Sequence, residues 1–227
     1  MLKNLINLLF PKLCTGCNSL LLQNEAIICA NCRHELPLTQ HHLMSNNYIA
    51  KKFYGIIPFE FCSAMLYFHK DGIVQNMIHN LKYKNRPEIG TLLGNWYAND
   101  LIEIAKDQKI TTIIPVPLHK KRLKERGYNQ VTTFCEALSQ NLGIEINDQL
   151  LYRKIYSKTQ TKKSKEARSE IKNSLFDVTF SSSDFGKHYL LIDDVITSGA
   201  TLEACAKAIL KIPDAKISII TIAYTDS

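Results

Sequence analysis

Tyr189-Leu-Leu-Ile-Asp-Asp-Val-Ile-Thr-Ser-Gly-Ala-Thr201 joins an apolar run, two adjacent acids and a small hydroxyl-bearing turn in one short stretch. Residues 189–192 have the pattern of a buried strand, and that strand delivers Asp193 and Asp194 side by side. Thr197, Ser198, Gly199, Ala200 and Thr201 then open a helix predicted over 201–211 and stopped before Pro213. Backbone N–H groups at a helix start lack intrahelical partners and the helix dipole adds positive potential, so a phosphate fits there. Gly199 and Ala200 keep side chains out of its way, while the hydroxyls of Thr197, Ser198 and Thr201 can donate to phosphate oxygens. Two acids beside a phosphate would repel it unless they accept something else, and sugar hydroxyls are the obvious donors. A ribose 5-phosphate meets both demands. The competing reading is local: Thr197 and Ser198 cap the helix while the aspartates pair with basic neighbours. Neither G-x-x-x-x-G-K-[ST] nor G-x-G-x-x-G occurs in the chain, which disfavours Walker-type ATPases and Rossmann oxidoreductases.

Outward from this stretch, strands alternate with helices. A β-branched run at 111–118 ends in Pro115-Val-Pro117, an amphipathic helix at 128–142 is closed by Gly143, a short strand occupies 150–153, and an apolar strand 216–224. This alternation predicts an α/β fold, a parallel sheet flanked by helices on both faces, with ligands beyond the carboxyl ends of the strands. Upstream, 59–68 reads as a buried strand and 71–84 as a helix with Ile73, Val74, Met77, Ile78 and Leu81 on one face. A second helix follows Pro87, with Leu92, Leu93, Trp96, Leu101 and Ile104 as its buried side. Both helices read as structural support; for Tyr83, Lys84 and Arg86 between them a solvated helix end is the favoured reading and contact with a ligand the alternative.

Four of the seven cysteines form Cys14-Thr-Gly-Cys17 and Cys29-Ala-Asn-Cys32. Two such turns can place four thiolates around one zinc ion, whose binding free energy folds a segment that has no core of its own. Two disulfides or a redox pair are the rivals; the short apolar segment 2–10 lacks a cleavage pattern and reads as a packing helix rather than a secretory signal. His34, His41 and His42 read as surface residues, and 41–52 as a polar linker. At 227 residues the chain is expected to hold one full domain and a small appendage. The division is a helix and four-cysteine zinc ribbon over 1–45, then an α/β domain over 46–227 whose core is 109–227.

The net charge of +7 is local: 120–126 carries +4 and 153–172 carries +6, leaving the remainder negative. Two basic loops on these segments would draw in a polyanion, either a phosphorylated small molecule or a nucleic-acid backbone. No apolar run approaches the roughly 18–20 residues that span a bilayer, so a cytoplasmic protein is expected, with a peripheral position at the inner face of the membrane as the variant.

Residues 189–201 resemble the phosphoribosyl pyrophosphate (PRPP) motif of type I phosphoribosyltransferases. More narrowly, the chain is similar to the ComF family: the four-cysteine ribbon, Pro115-Val-Pro117, Arg126-Gly-Tyr-Asn-Gln130, the stretch 160–173 and the PRPP motif occur in that order and span most of its length. The resemblance implies a type I phosphoribosyltransferase-like fold binding PRPP with Mg²⁺. It implies Asp193 and Asp194 on the ribose 2′- and 3′-hydroxyls, and Thr197, Ser198, Gly199, Ala200 and Thr201 on the 5-phosphate. The loop after Pro117, with Lys120, Lys121, Arg122 and Arg126, would take the pyrophosphate. A mobile hood at about 154–172 would carry Gln160, Lys162, Lys163 and Arg168, with Asn173 also matching; closing these cations would exclude water and stabilise leaving-group charge. Single-stranded DNA and DNA-uptake machinery are the implied partners, and a Mg²⁺-dependent transferase acting on an unidentified base or amine, or a PRPP sensor without turnover, are the alternatives. Thr197 stands where 6-oxopurine salvage transferases carry an Asp base, so the resemblance does not extend to that reaction; orotate-type transferases lack this Asp too.

Overall fold

The computed structural model describes residues 11–154 and 175–225. The helix expected over 2–10 and the hood residues Gln160, Lys162, Lys163, Arg168 and Asn173 lie outside the described residues. The order of elements is α1 (Ala30–His34), a 3-10 turn (His41–Leu43), α2 (Tyr48–Phe53), β1 (Phe61–Tyr67), α3 (Ile73–Tyr83), α4 (Glu88–Asp107), β2 (Thr112–Pro115), α5 (Lys120–Arg126), α6 (Thr132–Leu142) and β3 (Glu145–Ile146). These are followed by β4 (Leu151–Arg153), β5 (Phe176–Val178), β6 (His188–Ile196), α7 (Ala200–Ile209) and β7 (Lys216–Tyr224).

A five-stranded sheet runs in the order β1-β7-β6-β2-β3, and every pairing in it is parallel. Such strands are covered on both faces and so read as nearly unbroken apolar runs, with alternate residues feeding opposite layers. Ile113, Leu190, Ile192, Ile220 and Ile222 face the α3/α4/α6 layer with Leu93, Phe134 and Leu138. Ile114, Tyr189, Leu191, Ile217 and Ile219 face the layer of α2 and α7, with Phe53, Leu202, Cys205 and Ile209. β4 and β5 form a separate antiparallel pair whose buried Leu151 and Phe176 join this second layer. The sheet takes its edge strand from 61–67, so it begins well before the expected core of 109–227.

Several elements differ from the sequence reading, four of them in the sheet, its covering helices and the segment before β1, each for a local reason. β6 runs on through both aspartates to Ile196, because β7 continues to pair with it, Asp193 opposite Thr221 and Val195 opposite Ala223. α6 starts at Thr132 rather than 128, since 127–131 is spent on a turn tied elsewhere. α4 presents Ile89, Gly90, Leu93, Gly94, Tyr97 and Leu101 to the core, while Leu92, Trp96 and Ile104 are only partly buried. Its glycines let α6 approach closely: a Cβ on Gly94 would lie 2.7 Å from Ala137 Cβ and 2.8 Å from the Phe134 carbonyl.

The fourth difference is the expected linker at 41–52, which is ordered and partly buried. Asn47 caps α2, its Oδ1 accepting from the N–H groups of Ile49 and Ala50, both at 3.0 Å. Its Nδ2 donates to the Cys62 carbonyl of β1 at 2.7 Å. Just upstream, Leu38 bridges Leu66 in antiparallel sense, with Thr39 N–H donating to the Met65 carbonyl and Tyr67 N–H to that of Pro37. Residues 37–39 therefore cover the outer edge of β1, and the domain boundary expected at 45 falls inside the attached stretch.

His41 is a further correction: it is 1% exposed rather than on the surface. Tyr67 and Tyr224 meet its ring edge-on, each at 5.7 Å between centroids, and neither ring nitrogen has a hydrogen-bond partner among the described residues. Burial, helped by the neighbouring His42, lowers its pKa from 6.5 to about 4. Below pH 6.5 the unfolded chain takes up a proton that the folded chain refuses until about pH 4, so stability falls as pH drops through that window and the loss is complete below it. The full effect is about 3 kcal/mol. Urea unfolding at pH 7 and pH 4.5 is expected to show a larger drop in the wild type than in His41→Phe; parallel curves for the two proteins would refute the assignment.

Candidate functional site

The chain leaves β6 at Ile196, turns through Thr197 and Ser198, and enters α7 after Gly199. Gly199 has φ +81°, and a Cβ there would sit 3.3 Å from Phe53 Cε1 and Cζ, so glycine is required both by conformation and by the close approach of α2. Gly199 is the N-cap residue, and no side chain caps α7. The capping alternative is thus not what Thr197 and Ser198 do. Both are exposed, as is Thr201, and the bend formed by residues 193–202 wraps a cavity of about 40 Å³. The first N–H groups of α7 and three small hydroxyls surround a space suited to a compact anion.

The two aspartates have different surroundings. Asp194 is 6% exposed; its Oδ1 accepts from Lys82 Nζ at 2.9 Å and its Oδ2 from Gln130 Nε2. For Asp194, then, the pairing with a basic neighbour holds. Asp193 is half-buried, with Oδ1 accepting from the Asp194 N–H at 2.8 Å. Burial and the adjacent Asp194 charge hold the Asp193 carboxyl well above the usual carboxylate range, against the opposing pull of the Asp194 N–H and Lys82. Asp194 is therefore the fixed, charge-compensated member, and Asp193 the more exposed one.

Both acids line a cavity of about 540 Å³ at the carboxyl ends of the strands, together with Thr197 and Thr201. Arg122 and Arg126 line it as expected, whereas Lys120 and Lys121 do not. The reason is that 120–126 is a helix, not a loop. His119 Nδ1 accepts from Lys121 N–H at its start, Gly127 at φ +78° ends it, and Lys120 and Lys121 project to solvent. Arg126 donates to Gln130 Oε1 at 2.7 Å and to the Tyr83 hydroxyl at 3.2 Å.

Several lining residues were not singled out in the sequence. α3 is more than support: Gln75, His79, Lys82 and Tyr83 face the cavity, as does Ile78, from the flank of its buried stripe Val74, Met77, Ile78 and Leu81. Tyr83, for which ligand contact is the alternative to a solvated helix end, is 62% exposed and lies on this wall, under the Arg126 guanidinium at 5.1 Å. His119 and Arg153 complete the basic side. The signal for Gln130 was present in Arg126-Gly-Tyr-Asn-Gln130, a segment tied down along its length. Within it Tyr128 OH donates to the Leu81 carbonyl and Asn129 Nδ2 to that of Val116 at 3.0 Å.

The four expected cysteine ligands do come together, with Cys14, Cys17, Cys29 and Cys32 Sγ atoms all within 4.8 Å of one another. Tetrahedral bonds of about 2.3 Å would set sulfurs about 3.8 Å apart, and Cys17 and Cys29 are 3.8 Å apart. Backbone N–H groups point at the sulfurs, Cys29 N–H to Cys14 Sγ at 3.3 Å and Cys32 N–H to Cys29 Sγ at 3.4 Å. Hydrogen bonds from Ser19 lower the Cys17 thiol to about 6, whereas burial pushes Cys32 upward. The donor set fits a thiophilic metal ion. Among the described residues this is the one such cluster, and no described helix is long and apolar enough to cross a membrane.

No family model matches the chain. It has homologues among curated proteins: it is 29% identical over 141 residues to DNA utilization protein YhgH of Shigella flexneri, covering 60% of each chain. It is 26% identical over 141 residues to competence protein ComFC of Bacillus subtilis, covering 61% of this chain and 54% of the relative. Competence protein F of Haemophilus influenzae is 36% identical over 109 residues, 47% of each. The chain thus spans about 60% or less of the length of these relatives. Among solved structures, glutamine PRPP amidotransferase from B. subtilis superposes at 14% identity and TM-score 0.40, covering 62% of this chain and 30% of that one. Adenine phosphoribosyltransferase from Leishmania tarentolae gives 12% identity and TM-score 0.35, covering 78% and 88%. Overlaps this loose assign nothing by themselves.

Proposed function

We propose that the cavity binds PRPP with Mg²⁺ and that the protein serves the uptake and processing of single-stranded DNA in natural transformation. The observation that carries the ligand reading is the juxtaposition, at the end of one strand, of the carboxyl pair and the uncapped bend of 197–201. In this reading the bend holds the 5-phosphate and Asp193 accepts from a ribose hydroxyl while Asp194, braced by Lys82 and Gln130, fixes the pair. Arg122 and Arg126 take the pyrophosphate side, and the hood is assigned to about 154–172, outside the described residues beyond Lys154. Magnesium supplies charge neutralisation on the pyrophosphate when bound. Zinc is the proposed occupant of the cysteine cluster, in a structural role. The DNA reading draws on the names of the relatives and on the exposed Lys120, Lys121 and Arg122, which would follow a phosphate backbone.

The second reading, transfer to a base or amine, is favoured by the room left in the cavity beside Phe68, Ile78 and Tyr83. A nitrogen lone pair would attack C1 as the C1–O bond breaks, pyrophosphate would leave with that electron pair, and the nitrogen's proton would pass to solvent.

Calorimetric titration of PRPP with Mg²⁺ is expected to show saturable binding by the wild type and at least tenfold weaker binding by Asp193→Asn/Asp194→Asn. No heat in the wild type, or equal affinity in the variant, would sink the ligand reading. Pyrophosphate release with a panel of bases and amines separates transfer from binding alone. Single-strand binding should weaken steeply with salt and in Lys120→Gln/Lys121→Gln/Arg122→Gln; indifference to both rejects the DNA reading.

A further inference from the structure

α3 carries the cysteine cluster on one side and the cavity on the other. Asn76 Nδ2 donates to the Gly16 carbonyl at 2.7 Å and Asn80 Nδ2 to the Thr15 carbonyl at 3.1 Å. Gly16 lies so close that a Cβ on it would be 2.8 Å from Ile73 Cγ2. Thr15 and Gly16 are the two residues enclosed by Cys14 and Cys17, so the directions of their carbonyls depend on what closes the four thiols. Within two residues of Asn80 on the same helix, Lys82 ends on Asp194 at 2.9 Å. α3 has no side-chain cap at Gly72; besides the apolar contact of Val74, Met77, Ile78 and Leu81 with the core, it is tied by the Asp71 N–H to Gln75 Oε1 at 2.9 Å and by Tyr128 OH to the Leu81 carbonyl.

We propose that Asn76 and Asn80 are positioning residues that carry the geometry of the metal-closed cysteine cluster through α3 to Lys82 and Asp194, so that metal occupancy and affinity for the phosphoribosyl ligand reinforce each other. The ligand half of this statement rests on the PRPP reading of the cavity. Directional amide bonds transmit a shift of the carbonyls, where apolar packing alone would let the helix slide. Reciprocity is a thermodynamic requirement: whatever factor zinc contributes to ligand affinity, the ligand contributes to zinc affinity. A coupling of about tenfold lies within the usual range for linked sites.

The test uses the zinc-loaded full chain and Asn76→Ala/Asn80→Ala. The variant is expected to retain its zinc and to bind PRPP with Mg²⁺ about tenfold more weakly. Saturating PRPP should slow zinc transfer to a chromogenic chelator about tenfold in the wild type and leave the variant unaffected, an effect that a merely structural role of the asparagines would not produce. Equal PRPP affinity in both proteins, or zinc release indifferent to PRPP in a wild type that binds it, overturns the proposal. If the wild type binds no PRPP, the cavity reading fails while the coupling is still decided by hydrogen exchange. Chelating the zinc should then speed exchange across 75–84 and 193–201, and acceleration confined to 12–36 rejects it. Should the double variant fail to fold, Asn76→Ala and Asn80→Ala singly serve in its place.

Discussion

Lys82→Met is expected to lower the unfolding free energy by about 3 kcal/mol and to weaken PRPP binding more than tenfold, the larger part of the first effect coming from the carboxylate it strands. In the folded chain the Asp194 side chain is 9% exposed and that of Lys82 19%, so removing the ammonium leaves a charge with little water to replace it. The Gln130 bond survives and Lys82 is not wholly enclosed, which places the cost at the lower end for broken buried pairs. If the charge is the cause, Lys82→Met/Asp194→Asn regains most of the stability but none of the ligand affinity. Urea unfolding of the four proteins in this cycle, with calorimetry on the same samples, separates the two effects. A double variant as unstable as Lys82→Met would show that the lysine acts by packing alone.

Cys14→Ser/Cys32→Ser is expected to abolish zinc binding and to cost residues 12–36 about 5 kcal/mol or more of local stability, out of the roughly 10–16 kcal/mol that such sites contribute in small metal-folded units. Little else holds that region. Its buried apolar side chains are Ile28, Cys14, Cys29 and Cys32, while Leu13, Leu20 and Leu22 are 42–68% exposed. Limited proteolysis should cut within 12–36 in the variant and spare the wild type, and metal analysis should report zinc only in the latter. A variant as resistant as the wild type would mean that the segment folds without metal.

The sheet was legible because strands covered on both faces are rich in apolar and β-branched residues: β7 occupies 216–224 as that run implied. β6 was read short because Asp193 and Asp194 break that run, although the ladder to β7 does not stop there. The ribose and phosphate residues could be found because they are consecutive. Lys82 could not: it lies 112 residues from the carboxylate it serves, and nothing local distinguishes it from a solvated lysine. Charge misled at 120–126, where a lysine-rich segment looks like a loop although arginine, lysine, leucine and glutamate all favour helix. Polarity misled at 41–52, where Asn47 and His41 are buried for reasons of hydrogen bonding and of aromatic enclosure.

The strap at 37–39 has a practical consequence for anyone dividing the chain. A fragment begun at residue 46, the natural cut for isolating the α/β half, would lose the backbone that satisfies Met65 and Tyr67. The far margin of the sheet is blunted by the brevity of β3, but the near margin would be uncovered, with the Tyr67 N–H and Met65 carbonyl unsatisfied, a template on which a second molecule can add itself. Such a fragment should therefore precipitate or form filaments while the intact chain stays dispersed, and its insolubility would say nothing about the chemistry of the cavity.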